Sequence, residues 1–510
     1  MTTLLHGAGP GLTTERKKRN AGHSRQKFGQ AFGSAPAISR WSNRQAFAVF
    51  TPILDLALIY LSAFLAVSVQ ANYFDVAAPQ THLLVGMATL SGLFYLLSMN
   101  GFGLYKFAEL SKPKRSIPLS IAVWTGCMVA MMALAYILDL GETLPRTLVL
   151  PWAGLTALGI TGSHLISFTG IQWCARRGMF RQRIAVVGAT PRVLDMISSF
   201  ASAQGHDDYE VVGIYDDRKG RVPDHVAGIE VVGTVPDLLT HCRQNLLDTI
   251  VIAIPWVAES RNAQIVQSLR ELPVDISLVP DLDMHLLPPR GILWLGGMPT
   301  VLVSRRPLTE QQMFVKWIED KILALMALIA ISPIMLITAL LVKLTSAGPI
   351  FFVQERFGFN NRVIRVLKFR SMYIDKGDVT GRARTVKNDP RITPVGRFIR
   401  RYSIDELPQL FNVLSGDMSL IGPRAHAVAM SVGGRFYYDA VAEYAARHKV
   451  KPGITGWAQV NGSRGEIETQ EQAEERVRLD MYYVDNWSFA LDIKIAWRTV
   501  KMILFDKNAY

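Results

Sequence analysis

Apolar residues in this chain fall into blocks. Four blocks precede residue 170, starting at Ala46, Thr81, Ile117 and Thr147. Each approaches or exceeds the roughly 20 residues a helix needs to cross a hydrocarbon core. The first carries Asp55, and the fourth carries Pro151 and His164. A fifth block, KILALMALIAISPIMLITALLVKL over residues 321–344, is as long but has Ser332 and Pro333 near its centre.

Between residues 182 and 302 the pattern shortens. RIAVVGA, YEVVGIYDD, LLDTIVIAIP and VDISLVP read as strands, and PRVLDMISSF and SRNAQIVQSLREL as helices. That alternation predicts an open, Rossmann-like α/β sheet. Farther on, PIFFVQERFG and RVIRVLKFRSM read as strands around a turn at GFNNR, the second delivering Lys368 and Arg370 together. EIETQEQAEERVRLDMYYVDNW reads as a polar helix. The closing WSFALDIKIAWRTVKMILF places Trp487, Ile493, Trp497, Val500 and Leu504 near one side, which suits either a membrane interface or packing on the domain.

Basic residues then supply a topology. They cluster before the first block, between the second and third (Lys106, Lys112, Lys114, Arg115) and after the fourth (Arg176, Arg177, Arg181, Arg183), while the two other connections are poor in them. This puts both ends of the four-helix segment in the cytoplasm. A helix over residues 322–342 would extend about 30 Å, enough to cross, but crossing would export everything after it. Basic flanks at Lys316, Lys321, Lys343, Arg356 and Arg362 also favour keeping both ends inside. Pro333 removes a helical hydrogen bond and Ser332 can satisfy a freed carbonyl, so a helix, break, helix hairpin that re-enters the same leaflet is expected over 322–343.

The expected fold is a membrane protein of mixed α and α/β class. A disordered basic cytosolic tail occupies 1–45, a four-helix transmembrane bundle 46–170, the Rossmann-like domain 182–302, and a C-terminal α/β domain with the re-entrant hairpin 310–510. The net charge of +13 suits an anionic inner leaflet. No zinc finger, aromatic RNA-binding signature or basic zipper points to nucleic acid. The cysteines, Cys127, Cys174 and Cys242, have no ligand or redox spacing.

Candidate chemistry is densest in DPRITPVGRFIRRYSIDELPQLFNVLSGDMSLIGPRAH, where Arg391, Arg397, Arg400, Arg401 and Arg424 accompany Asp405 and Glu406. Fixed cations beside a few carboxylates suit a phosphoanhydride substrate or, for the arginines, anionic lipid. Asp405 serves equally well as the cap of a helix in ELPQLFNVL. Ser403 and Glu406 match a capping box, but Pro408 would then fall inside the helix, which therefore should start nearer Asp405. In KVKPGITGWAQVNGSRG, Lys449, Lys451 and Arg464 can reach anions. The middle domain has only Gly188 of a dinucleotide fingerprint, with Thr190 and Val193 at the other glycine positions. No redox cofactor is expected there. Asp216 and Asp217 sit where a ribose-binding acid or a solvated turn belongs.

GPIFFVQERFG, KFRSM, DPRITPVGRFIRRYSIDELPQLFNVLSGDMSLIGPR and KPGITGWAQVNG resemble the bacterial sugar transferases that act on polyprenyl phosphate, in their long-chain form. The resemblance implies transfer of a hexose 1-phosphate from a UDP-sugar to undecaprenyl phosphate, releasing UMP and requiring Mg2+. HAVAM and RHKVKPGITGWAQVNG look like the glucose subgroup, with galactose or another hexose behind it. Asp405 is similar to the family's nucleophile and Glu406 to the acid beside it, both near the metal. Lys368, Arg400 and Arg424 match phosphate-steadying cations, with Arg370 grouped beside Lys368. The same resemblance implies a catalytic domain on the cytoplasmic face of a bacterial inner membrane, and a homo-oligomer is compatible with it. Ala425 departs from the family's GPRP, and Ser463 stands where an aromatic often precedes RGE. Two other classes compete: an NAD-dependent membrane enzyme modifying nucleotide sugars, and a non-catalytic scaffold or regulator of polysaccharide assembly.

Overall fold

Four long helices form on the first four apolar blocks: Ile38–Tyr73, Thr81–Gly101, Pro113–Ile137 and Arg146–Arg176. The computed structural model describes residues 38–73, 81–137, 146–202, 209–218, 220–244, 247–280, 292–295, 298–374, 389–428, 430–432, 435–441, 443–463, 465, 467 and 469–505. The expected tail up to residue 37 and Arg464 therefore lie outside the described residues. One buried apolar cluster, which includes Ile59, Tyr95, Trp124 and Trp152, joins all four helices. Leu61, Leu97, Val129 and Leu158 stay exposed, as on helices whose outer faces are solvated by lipid. Asp55, fully buried, accepts hydrogen bonds from Tyr105 Oη (2.9 Å) and Ser163 Oγ, with His164 Nε2 at 3.5 Å. Donors from other segments thus surround this buried polar side chain, as its burial requires.

The middle domain is built on β1 (Gln182–Val187), β2 (Tyr209–Tyr215), β3 (His225–Val226), β4 (Ile229–Gly233), β5 (Thr249–Ile252), β6 (Asp275–Leu278), β7 (Ile292–Leu295) and β8 (Met298–Ser304). They form one sheet in the order β3-β4-β2-β1-β5-β6-β8-β7. β4, β2, β1, β5 and β6 are parallel, as the alternating strand and helix texture required, and antiparallel strands close each edge. Helices Pro191–Ser202, Val235–Gln244 and Glu259–Leu269 follow the strands. Asp216 ends β2 but is not free for a ribose. Its carboxylate accepts from Ala189 N (2.8 Å), Arg218 N (2.9 Å) and the Arg218 guanidinium (2.7 and 3.0 Å).

The fifth apolar block lies within a single helix, Glu310–Thr345, opened by a capping box at Thr309 and Gln312. Helical conformation continues through Pro333, so the interruption expected there is not formed. The proline ring leaves the Ile329 carbonyl without its usual N–H partner, and Ser332 Oγ donates to it at 2.9 Å. Both halves of this helix rest on the C-terminal domain. Ala324 is buried with Val366, Leu410 and Val413, while Met335 and Val342 are buried with Phe369 and Ile399.

That domain begins with the antiparallel pair β9 (Phe351–Phe357) and β10 (Val363–Phe369). Strand Ser419–Ile421 pairs in parallel with Gly453–Thr455. Here the glycine-rich motifs find their use: a Cβ on Gly453 would stand 2.1 Å from Gly422 N, so glycine is what lets the two backbones touch. The last helix, Phe489–Phe505, leaves Ile493, Trp497 and Val500 exposed. Trp487, grouped with them from the sequence, is instead buried, and its Nε1 donates to Asp492 Oδ2 at 2.9 Å. It precedes the helix and so does not follow its periodicity.

Candidate active site

Asp405 is held by a sharp change of backbone direction. Helix Pro394–Arg401 starts at the Thr393 cap, whose hydroxyl accepts from Gly396 N at 2.8 Å. It ends before Ser403, which adopts a left-handed conformation (φ 55°). A single tight turn, Ile404–Glu406, carries the two acids, and the next helix, Gln409–Ser415, begins only after Pro408. Asp405 is therefore neither cap nor first residue of that helix, and Ser403 makes no capping bond. The proline moved the helix start farther along than its spacing suggested.

Neighbouring in sequence, the two carboxylates meet different surroundings. Glu406 Oε1 accepts from Lys368 Nζ at 2.8 Å and Arg424 Nη2 at 2.6 Å, and Oε2 accepts from Arg424 Nη1 at 3.2 Å. Burial alone would raise its carboxyl, but Arg424 and Lys368 hold it well below the usual carboxylate range. No hydrogen bond to the Asp405 carboxylate is found among the described residues. Burial raises this carboxyl, and the Glu406 charge adds to the rise against the pull of Lys368, Arg400 and Arg424. The result is one neutralised carboxylate beside one unengaged.

Of the cations chosen from the sequence, Lys368, Arg400 and Arg424 face this pair. Arg370 does not join them through any hydrogen bond. Its Nη2 donates to Val342 O (3.2 Å), Ser346 O (2.6 Å) and Ser346 Oγ (2.7 Å), gripping the end of the Glu310–Thr345 helix. The two-residue spacing from Lys368 misled because β10 ends at Phe369, where strand alternation stops. Arg391 pairs with Asp389 (2.6 Å), and the Arg401 guanidinium lies over the Tyr402 ring (5.8 Å).

Arg356, read from the sequence only as a basic flank, belongs to the site. Strand register pairs Arg356 with Ile364 and Phe352 with Lys368, which places Arg356 and Lys368 on one face of the hairpin. Its Nη1 donates to Ala425 O at 2.7 Å. Burial and then the Arg424 charge push its guanidinium down to about 10, so it stays protonated at neutral pH. The period-two pattern of QER could have revealed it. Arg447 was missed too. Fully buried and ion-paired with Asp480 at 2.7 Å, it donates from Nη2 to Arg424 O at 2.7 Å. His426 stacks on Tyr437 (4.8 Å between ring centroids) and contacts Arg447; burial and then that cation's charge push its imidazole well below the usual range, keeping it neutral.

Comparison with known proteins covers the span that carries this site. Residues 311–506 match the family described as bacterial sugar transferase, and residues 100–280 match a CoA-binding domain. The UDP-glucose:undecaprenyl-phosphate glucose-1-phosphate transferase of Xanthomonas campestris pv. campestris is 34% identical over 472 residues, 90% of this chain and 94% of the relative. This chain belongs to the bacterial sugar transferase family. A protein of the same description from Escherichia coli strain K12 is 35% identical over 84% of this transferase and 90% of the relative. The undecaprenyl-phosphate glucose phosphotransferase of Komagataeibacter xylinus is 40% identical over 333 residues, 64% of this chain, and the chain spans 60% of that relative's length.

Proposed function

We propose that this sugar transferase moves glucose 1-phosphate from UDP-glucose to undecaprenyl phosphate at the cytoplasmic face of a bacterial inner membrane, opening exopolysaccharide or capsule synthesis. The observation that carries the chemistry is the asymmetry of the acid pair. A buried carboxylate without a hydrogen-bond partner among the described residues has an oxygen available for attack, and the neighbouring glutamate fixes two cations beside it. In the first step an Asp405 oxygen bonds to the phosphorus next to the sugar, the bond from that phosphorus to the bridging oxygen breaks, and UMP leaves. An oxygen of undecaprenyl phosphate then attacks the same phosphorus, the Asp405–phosphorus bond breaks, and the carboxylate returns. Lys368, Arg424, Arg356 and Arg400 hold the phosphoryl oxygens and offset charge as it moves. The identities of the relatives support glucose as the hexose.

No described group of three or more His, Cys, Asp or Glu side chains could hold a metal ion by itself. Mg2+ fits here all the same, because this cation takes one or two carboxylates and completes its shell with substrate phosphate and water. Asp405 offers such an oxygen, whereas both Glu406 oxygens are engaged by Lys368 and Arg424. When bound, the ion supplies charge compensation for the diphosphate.

Contacts of the Glu310–Thr345 helix support the membrane arrangement. Lys321 Nζ bonds Val413 O (3.1 Å) and Leu414 O at the start of the apolar block, and Arg370 holds Val342 and Ser346 at its end. Holding both flanks of the apolar block against the same domain supports keeping both of them on one side of the membrane. The decisive experiment incubates membranes containing the protein with labelled UDP-glucose, Mg2+ and undecaprenyl phosphate. Wild type labels the lipid and Asp405→Asn does not; equal labelling by both sinks the nucleophile.

A further inference from the structure

The β9–β10 turn of the catalytic domain reaches the middle domain at a specific place. Helix Val235–Gln244 ends with carbonyls that have no partner within the helix. Asn360 Nδ2 donates to Cys242 O (2.6 Å), Arg362 Nε to Arg243 O (3.0 Å) and Arg362 Nη2 to Gln244 O (2.5 Å). A helix of one domain is thus capped by a turn of another, with the arginine charge at the favourable end of the helix dipole. The turn itself is unusual. Asn360 and Asn361 both lie in the left-handed region, each at φ 56°, a conformation that persists where surrounding contacts enforce it.

The other side of the same turn leans on the active site's support. Asn361 Oδ1 accepts from His448 Nδ1 at 2.6 Å, and the His448 ring lies 5.9 Å from Phe357. His448 adjoins Arg447, whose Nη2 holds the Arg424 carbonyl, and Arg424 in turn holds Glu406. Every contact from the middle-domain helix to the acid pair is therefore a direct bond or a peptide link.

We infer that the middle domain is a positioning element for the transferase site, acting through Asn360, Asn361 and Arg362 on the placement of Arg424. These three are positioning residues, since none touches the acid pair. The inference rests on the proposed role of Asp405 and its neighbours, and the test separates the two. Full-length protein in membrane vesicles is assayed for transfer from UDP-glucose to undecaprenyl phosphate, beside a thermal melt of each variant. Arg362→Ala and Asn361→Ala each lower kcat about three- to tenfold while KM for UDP-glucose changes less than about twofold. Arg362→Lys, which keeps a cation at the helix end, recovers most of the loss. Because the two contacts lie in series, the double variant is no slower than the slower single one. Wild-type kcat in both alanine variants overturns the inference. So does a loss that lysine does not recover, or one that adds in the double variant. An active Asp405→Asn in the same assay would instead overturn the site reading.

Discussion

Lys368 and Glu406 form a half-buried ion pair at 2.8 Å, one residue along from a carboxylate with no hydrogen-bond partner among the described residues. The pairing explains how two adjacent acids differ in chemistry. Glu406 is engaged by two cations, and the Asp405 carboxylate is left without a hydrogen bond among the described residues.

If Asp405 carries the sugar phosphate, intact-mass analysis of wild type given UDP-glucose and Mg2+ without lipid acceptor should show a gain of one hexose phosphate. Adding undecaprenyl phosphate should discharge it. The same species formed on Asp405→Asn would rule the assignment out.

Asp405 should also cost stability. Its folded carboxyl is raised, so the folded protein binds that proton more readily, and stability falls as pH rises from the ordinary carboxylate value through the folded one. Asp405→Asn cannot ionise, so it should melt roughly 2–4 °C higher at neutral pH. A lower melting temperature would contradict the burial argument.

Glu406 carries the opposite sign. Its depressed carboxyl contributes stability above the unfolded value that is lost as pH falls through the folded one. Glu406→Gln leaves Lys368 and Arg424 without their countercharge and should destabilise the domain by about 3 kcal/mol near neutral pH. Urea titrations at two pH values should show the gap between wild type and variant closing in acid.

The Glu310–Thr345 helix offers a topological check. A reporter fused after Leu344 should read as cytoplasmic. Pro333→Leu restores an N–H for Ile329 O and removes the ring, and it should shift a measurable fraction of chains to a periplasmic reading. Ser332→Ala instead strips Ile329 O of its donor and should cost about 1–2 kcal/mol. A periplasmic reading in wild type would reverse the assignment of sides.

Much of this arrangement was legible in advance because it depends on period and on covalent neighbours. The strands of the middle domain, the β9–β10 pair and the Asp405–Glu406 dipeptide follow from residues close in sequence. Arg370 was misread because alternation holds only inside a strand, and Phe369 is the last residue of that one. Arg356 and Arg447 reach Ala425 and Arg424 across 69 and 23 positions, contacts that no local pattern encodes. Pro333 illustrates a subtler limit. Ser332 donates to the carbonyl that Pro333 frees, as its position suggested, yet the break expected from the pair is a continuous helix.

Lys321 and Arg370 fasten the two flanks of the apolar block to the domain that carries Asp405. If the apolar block lies in the bilayer as proposed, a change in acyl-chain length that displaces the block should displace Asp405 with it. Vesicles of graded thickness should report this as a graded kcat, which makes the bilayer itself a gauge against which the enzyme's reach is measured.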